Sequence, residues 1–233
     1  MLAQENQSFH AVLLAAGEGS RMGRVPKSLF RLKGDSLLLR QLLSLSAAGA
    51  EEIVIVTGYF YQAIEAEVQD AIRAKQHKLA RIHLVRNPEP HRDQQSSVLL
   101  GLEAVKDFFS HGSSQTQTLE TSPVMIALAD QPLMSADDYL SCIAFFHNRC
   151  EERSIIYPVV GKNRGNPVVL TIETVNQVLN GGQSCKAYIE QHPELVQHFV
   201  CDNEHYIFDL DEPKDLETFY KRTGFILTPP QKL

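Results

Sequence analysis

The chain has 233 residues, 43% of them hydrophobic and 21% charged, enough to bury a full core in one soluble α/β domain. Its net charge of −6 speaks against a nucleic-acid-binding surface, which needs a basic excess. No apolar run approaches the roughly 20 residues of a membrane span, and the opening MLAQENQSFH lacks the basic and apolar regions of a secretory signal. Cys142, Cys150, Cys185 and Cys201 show no C-x-x-C spacing and read as reduced packing thiols, so a cytoplasmic location is expected.

Residues 10–16 form a short apolar run, the length of one buried parallel strand. The run breaks into Gly17-Glu18-Gly19-Ser20, which can bring backbone N–H groups close to a ligand. Arg21 and Lys27 follow, with Pro26 fixing the backbone just before the lysine. A strand, a glycine turn and two cations suit a polyphosphate. The site is not a P-loop, because Met22 stands where its second glycine belongs and Arg24 follows Gly23. Met22 also occupies the place of the third glycine in the dinucleotide fingerprint.

Leucines at 37, 38, 39, 42, 43 and 45 predict a largely buried helix over 36–48, with Ser36 as its cap and Gly49 as its end. Residues 52–58 read as a second buried strand. Residues 59–76 read as a helix with Ile64, Val68 and Ile72 on its inner face, and 80–87 as a third strand. This alternation predicts right-handed crossovers and a mostly parallel sheet. After the turn at 87–90 a helix is expected over 95–109, then a polar surface loop over 110–122. The strand over 124–129 belongs in the centre of the same sheet.

That strand delivers Asp130-Gln131-Pro132, placing a carboxylate at the carboxyl end of a central strand, where open α/β sheets bind ligands. A divalent cation is its natural partner there, and Mg²⁺ suits one or two carboxylates plus substrate phosphates. A plain turn-capping role for Asp130 is the alternative. Ser135 opens the next helix, with Asp138 placed for a capping box. Residues 154–160 read as a strand leading to Gly165-Asn166-Pro167-Val168, which offers an amide, backbone donors and two nearby cations to an anionic acceptor. A tight hairpin turn explains the same residues. Residues 206–210 read as a short strand ending at Asp209, with Asp211 capping the last helix, Pro213 in its first turn and Asp215 favourable to its dipole. Alternation puts 209 and 211 on one face. Cys185 beside Lys186 reads as a core cysteine before a reactive one. The histidines show no metal-binding helix pair, and 223–233 reads as a tail beyond a single domain whose core spans about 10–222.

Leu-Ala-Ala-Gly-x-Gly-x-Arg-Met-Gly, residues 14–23, followed by Pro26-Lys27, resembles the signature loop of nucleotidyltransferases with a GT-A-like, Rossmann-type fold. Within these it looks most like the molybdenum cofactor cytidylyltransferase and guanylyltransferase group. The resemblance implies a three-layer α/β/α domain with a mostly parallel central sheet. It implies nucleotide binding by Leu14, Ala15, Ala16, Gly17, Glu18, Gly19 and Ser20, with Arg21 and Lys27 as the catalytic cations. Ser96-Ser97 and Gly101-Leu102 resemble the segment that lies against the base, although the family's preceding glycine is missing and a serine-capped helix start is the competing explanation. Asp130 matches the metal-binding aspartate, and Asp209 in Asp-Leu-Asp-Glu-Pro-Lys-Asp matches a second ligand, with the choice between Asp209 and Asp211 left open. Gly165, Asn166 and Pro167 match an acceptor-pocket segment. Lys186 stands where relatives tend to carry arginine, in a stretch that departs from Gly-Asp-x-Gly-Ala-Arg, and the departure bears on the acceptor.

The implied reaction is CMP transfer from CTP to the phosphate of molybdopterin with release of pyrophosphate, using Mg²⁺ or Mn²⁺. A molybdoenzyme or a cofactor-insertion chaperone would receive the product. Ala16, where the guanylyl branch tends to have glycine, is the feature favouring CTP over GTP. Other phosphorylated acceptors, sugar or polyol phosphates, share the first loop. A methylerythritol-type enzyme expects His-Asp-Ala-Ala-Arg-Pro where Ala-Asp-Gln-Pro stands. A non-catalytic carrier or chaperone on the same fold is the alternative of another class.

Overall fold

A computed structural model describes residues 8–74, 78–110 and 122–230. Most of the expected loop at 110–122 therefore lies outside the described residues. The central strand β1 (Phe9–Ala15) is buried almost throughout, and lies parallel between β4 (Ala50–Thr57) and β6 (Val124–Leu128). In that register Leu14 faces Val56 on one side and Leu128 on the other. The glycine loop after β1 and Asp130 after β6 thus emerge at the same edge of the sheet.

Strand β5 (Arg81–Arg86) extends the parallel half beyond β4. On the far side stand β7 (Ile155–Val160), β8 (Asn163–Arg164), β9 (Val168–Leu170) and β10 (Val196–Cys201). The order is β10-β7-β9-β6-β1-β4-β5, with β8 on β7. β9 runs antiparallel to both β6 and β7, so it joins two parallel halves. A separate two-stranded hairpin pairs β2 (Arg31–Leu32) with β3 (Asp35–Ser36).

The strand period divides the core. Phe9, Ala11 and Leu13 face a layer made by α1 (Leu37–Ala47), α2 (Tyr61–Ala74) and α4 (Ala136–His147). Val12 and Leu14 face α3 (Gln94–Ser110), α5 (Ile172–Asn180) and α6 (Cys185–Gln191). Each fully buried Leu, Ile or Phe in these layers contributes about 1.5–3 kcal/mol. The result is the expected three-layer α/β/α arrangement.

The capping signals act as the sequence predicts. Ser36 Oγ accepts from Leu39 N at 3.1 Å, and Ser135 and Asp138 exchange capping-box bonds at 3.4 and 2.8 Å. Three expectations change. Ile72 is exposed, because the last turn of α2 no longer faces the sheet layer that buries Ile64 and Val68. Residues 206–210 are not a strand: Glu204–Ile207 is a 3-10 turn, and Leu210 N bonds instead to Asp130 O at 3.0 Å. The cap of α7 (Pro213–Thr223) is Glu212, in a box with Asp215, which leaves the Asp211 carboxylate for other partners.

The chain after α7 joins the packed body through Leu227 and Thr228. Leu227 joins Phe30, Leu32, Leu37, Phe208, Leu210 and Phe219 in a third cluster. Thr228 exchanges backbone bonds of 2.8 and 3.0 Å with Arg31. Among the described residues, no helix is long and apolar enough to cross a membrane.

Candidate active site

Beyond β1 the chain curls around one carbonyl. Met22 N and Arg24 N both bond to Gly19 O at 2.9 Å. Gly19 has a positive φ of 64°, and a Cβ there would meet Val25 O at 2.1 Å, so only glycine fits. Gly17, by contrast, has open space around it and borders a cavity. Glu18 is turned to an ion pair with Arg24 at 3.1 Å.

The cavity has a volume of about 320 Å³. Leu14 at the end of β1 lines it with Ala16, Gly17, Arg21 and Lys27 of the following loop, and Asp130, Asp209 and Asp211 line it from the facing segments. Lys27 Nζ sits 2.5 Å from Asp130 Oδ2 and 2.9 Å from Asp211 Oδ1. Burial works against its charge, but the two carboxylates outweigh burial and hold its pKa above the ordinary lysine value. Arg21 reaches Asp211 at 3.1 Å and Glu212 at 3.5 Å. Burial likewise opposes the Asp211 charge, yet Lys27 and Arg21 keep its carboxyl below the usual range. Asp209 goes the other way. Burial and the nearby Asp130 charge push it up to about 6, against a hydrogen bond from Gln131 at 2.8 Å.

Asp130 and Asp209 thus meet with like charges, in an oxygen-only donor set that suits a hard divalent cation such as Mg²⁺ or Mn²⁺. Among the described residues no three His, Cys, Asp or Glu converge as a closed cage. A cation held here would therefore depend on ligand phosphates to complete its shell, as Mg²⁺ commonly does.

On the other rim, Asp93 accepts from Ser96 N at 2.8 Å at the start of α3. Both serine hydroxyls are bonded by Asn87 Nδ2, Ser96 at 3.0 Å and Ser97 at 2.9 Å. Ser97 lines the cavity together with Pro90, Asp93 and Gln94, whereas Ser96 does not. Gly101 packs against the sheet beside Val12 and Val56.

A second cavity of about 220 Å³ adjoins the first, sharing Leu14, Gln94 and Leu128. Arg164, Gly165, Asn166 and Lys186 line it over an apolar floor of Val98, Ile126 and Val168, and Pro167 is not part of its wall. Gly165 lies so close to Tyr206 O that a Cβ would come within 2.7 Å, and Asn166 N bonds to that same carbonyl at 2.8 Å. Cys185 is buried and its thiol is pushed up to about 11 by that burial, the state of a packing cysteine.

The structure therefore gathers Leu14, Ala16, Gly17, Arg21, Lys27, Ser97, Asp130 and Asp209 around one cavity, and Gly165, Asn166 and Lys186 around its neighbour. Asp211 as a partner of both cations, Gln94 between the cavities and Arg164 were not singled out from the sequence. For Arg164 the signal was present, as one of the two cations beside Gly165.

The fold sets cations and carboxylates facing one another around one cavity. The chain belongs to the family of MobA-like NTP transferase domains, whose model matches residues 11–195. It is similar to a protein named nicotine blue oxidoreductase from Paenarthrobacter nicotinovorans, 27% identical over 207 residues, covering 86% of this chain and 90% of that one. It also resembles a bifunctional IPC transferase and DIPP synthase from Thermococcus kodakarensis, 34% identical over 100 residues, 43% of this chain and only 22% of that longer one. A solved nucleotidyl transferase from Methanothermobacter shares the fold with a TM-score of 0.65 and 18% identity, covering 92% of this chain and 96% of that one.

Proposed function

We propose that the protein transfers CMP from CTP to the phosphate of molybdopterin, releasing pyrophosphate. The observation that carries this reading is Lys27, poised between Asp130 and Asp211 in a cavity whose other wall is the glycine loop. An oxygen of the acceptor phosphate attacks the α-phosphorus of the nucleotide. The bond from that phosphorus to the β-phosphate bridging oxygen breaks, and its electron pair leaves on pyrophosphate. A phosphate nucleophile is already anionic, so no strong base is required, and among the described residues no histidine lines the cavity. Backbone N–H groups of residues 17–20 together with Arg21 hold the β- and γ-phosphates, and Lys27 offsets charge on the α-phosphate. Mg²⁺ held by Asp130 and Asp209, with Mn²⁺ as a substitute, would supply further charge neutralisation on the phosphate oxygens.

The second cavity supports a phosphorylated acceptor, since Arg164 and Lys186 offer charge and its floor offers an apolar surface. Ala16 supports CTP over GTP. A cytoplasmic molybdoenzyme, or the chaperone that loads it, would take the product. The test is a thermal-shift panel of CTP, GTP, ATP and UTP, each with Mg²⁺ or with EDTA. A native-state ligand at 100 times its Kd adds about 2.7 kcal/mol, or about 5–10 °C for a chain of this size. A Mg²⁺-dependent shift for CTP, followed by pyrophosphate release on adding molybdopterin, is the expected result. GTP alone would move the assignment to guanylyl transfer, and binding without turnover to a carrier.

The similarity to nicotine blue oxidoreductase favours one second reading, redox chemistry on an organic substrate in the same pair of cavities. Reduced nicotinamide dinucleotides in the same panel separate the two.

A further inference from the structure

Gln131 follows Asp130 directly, yet its side chain is fully buried. Its amide lies 2.8 Å from Asp209 Oδ1 and 3.2 Å from Tyr206 O. Both neighbours are acceptors, so chemistry requires the NH₂ end to face them. The Oε1 end then finds no hydrogen-bond partner among the described residues. A buried, half-satisfied amide is a liability for folding, and a methionine would fill similar space without it. Its presence there points to what the NH₂ group does.

The group is also well anchored. Gln41 Nε2 donates to the Gln131 backbone carbonyl at 2.6 Å, and Tyr139 Oη donates to Gln41 Oε1 at 2.5 Å. Gln41 and Tyr139 are themselves buried. Tyr206 O, the second acceptor, also takes the Asn166 N–H, so the same carbonyl ties the second cavity to this chain of bonds. The bond from Leu210 N to Asp130 O, 3.0 Å, links the two carboxylate-bearing segments from the other side.

We infer that Gln131 is a positioning residue, whose Nε2 group fixes the Asp209 carboxylate in the orientation that lets it share a divalent cation with Asp130. The inference rests on the proposed metal role of those two aspartates. Groups that orient a metal-binding carboxylate commonly change metal affinity by about 10–100-fold when removed.

The experiment is a Mn²⁺ titration of the whole chain followed by electron paramagnetic resonance, with and without CTP, together with metal-free thermal midpoints and metal-free CTP binding. Gln131→Met is expected to weaken Mn²⁺ binding at least tenfold while metal-free CTP binding stays unchanged. Equal Mn²⁺ affinity in the wild type and Gln131→Met overturns the inference alone. A wild type that binds no Mn²⁺ in either condition overturns the metal assignment and the inference with it. Should Gln131→Met fail to fold, Gln41→Met breaks the same chain one link further back. It is expected to weaken Mn²⁺ in the same direction, and an unchanged affinity there overturns the inference.

Discussion

Removing the Lys27 ammonium separates chemistry from folding. Its Nζ lies 2.5 Å from Asp130 and 2.9 Å from Asp211, and the side chain is 17% exposed. Hydrogen bonds to charged groups contribute about 1.5–3 kcal/mol. The abandoned carboxylates border a solvent-lined cavity and Asp211 is 41% exposed, so part of that loss is recovered by hydration. Lys27→Met should therefore destabilise by about 2 kcal/mol, lowering the thermal midpoint by about 4–8 °C. From an ordinary stability of about 5–15 kcal/mol, at least about 99% of the variant stays folded at 25 °C. Turnover should nevertheless fall about 100- to 1000-fold, the usual effect of removing a preorganised group that meets developing charge. Pyrophosphate release at saturating CTP and acceptor, read beside a calorimetric melt, measures both quantities. Turnover that falls only in step with the folded fraction, or not at all, refutes the role.

Gly101→Ala sets helix propensity, which gains about 1 kcal/mol, against overpacking, which costs about 1–3 kcal/mol. Its Cβ would meet Val12 Cγ1 at 2.3 Å and Val56 Cγ2 at 3.0 Å, so the cost is at the upper end and net destabilisation of up to about 2 kcal/mol is expected in urea melts; a more stable variant would contradict the packing. Thiol labelling of the native protein at pH 8 should modify exposed Cys150 first. Cys142 and Cys185, whose thiols burial pushes upward, should react only on unfolding, and early labelling of Cys185 would disprove its assignment to the core. Burial lowers the pKa of His10 below 6.5, against opposing pulls from Glu51 and Glu52. The unfolded chain thus takes up a proton that the folded one resists, so this contribution is complete above about pH 6.5 and is lost as pH falls below it. Wild-type stability relative to His10→Gln should shrink on acidification from pH 7.5 to 5.5; a constant difference would exclude His10 as the source.

What was legible in the sequence was local. The loop at 17–27 declares itself because glycines, a proline and three cations sit within eleven consecutive residues, and Gly19 answers to a contact only six residues away. Helix caps at Ser36 and Ser135 are equally short-range. The strand inferred over 206–210 went astray for an instructive reason. Tyr206, Phe208 and Leu210 alternate as buried residues, yet this segment is a 3-10 turn and a loop laid over the sheet, Tyr206 packing on Phe199 of β10, and burial of that kind copies the period of a strand. Asp211 was assigned to a helix cap because its true partners, Lys27 and Arg21, lie 184 and 190 residues away in the chain. Gln131 stood in plain view beside Asp130, but its acceptors are 75 and 78 residues distant. The three-residue β9 is too short to show a period, and the segment after 223 shows none, although its Leu227 completes a cluster.

Leu14, Gln94 and Leu128 are walls of both cavities at once. Two ligands seated there would share one partition, and a single molecule joining them gains the second half of its contacts without a second loss of translational freedom. The product of the proposed reaction is itself such a joined molecule. It should therefore hold on longer than either substrate, making departure, rather than bond formation, the slow stage of the cycle. A downstream protein that draws the product out would then govern the pace of this one.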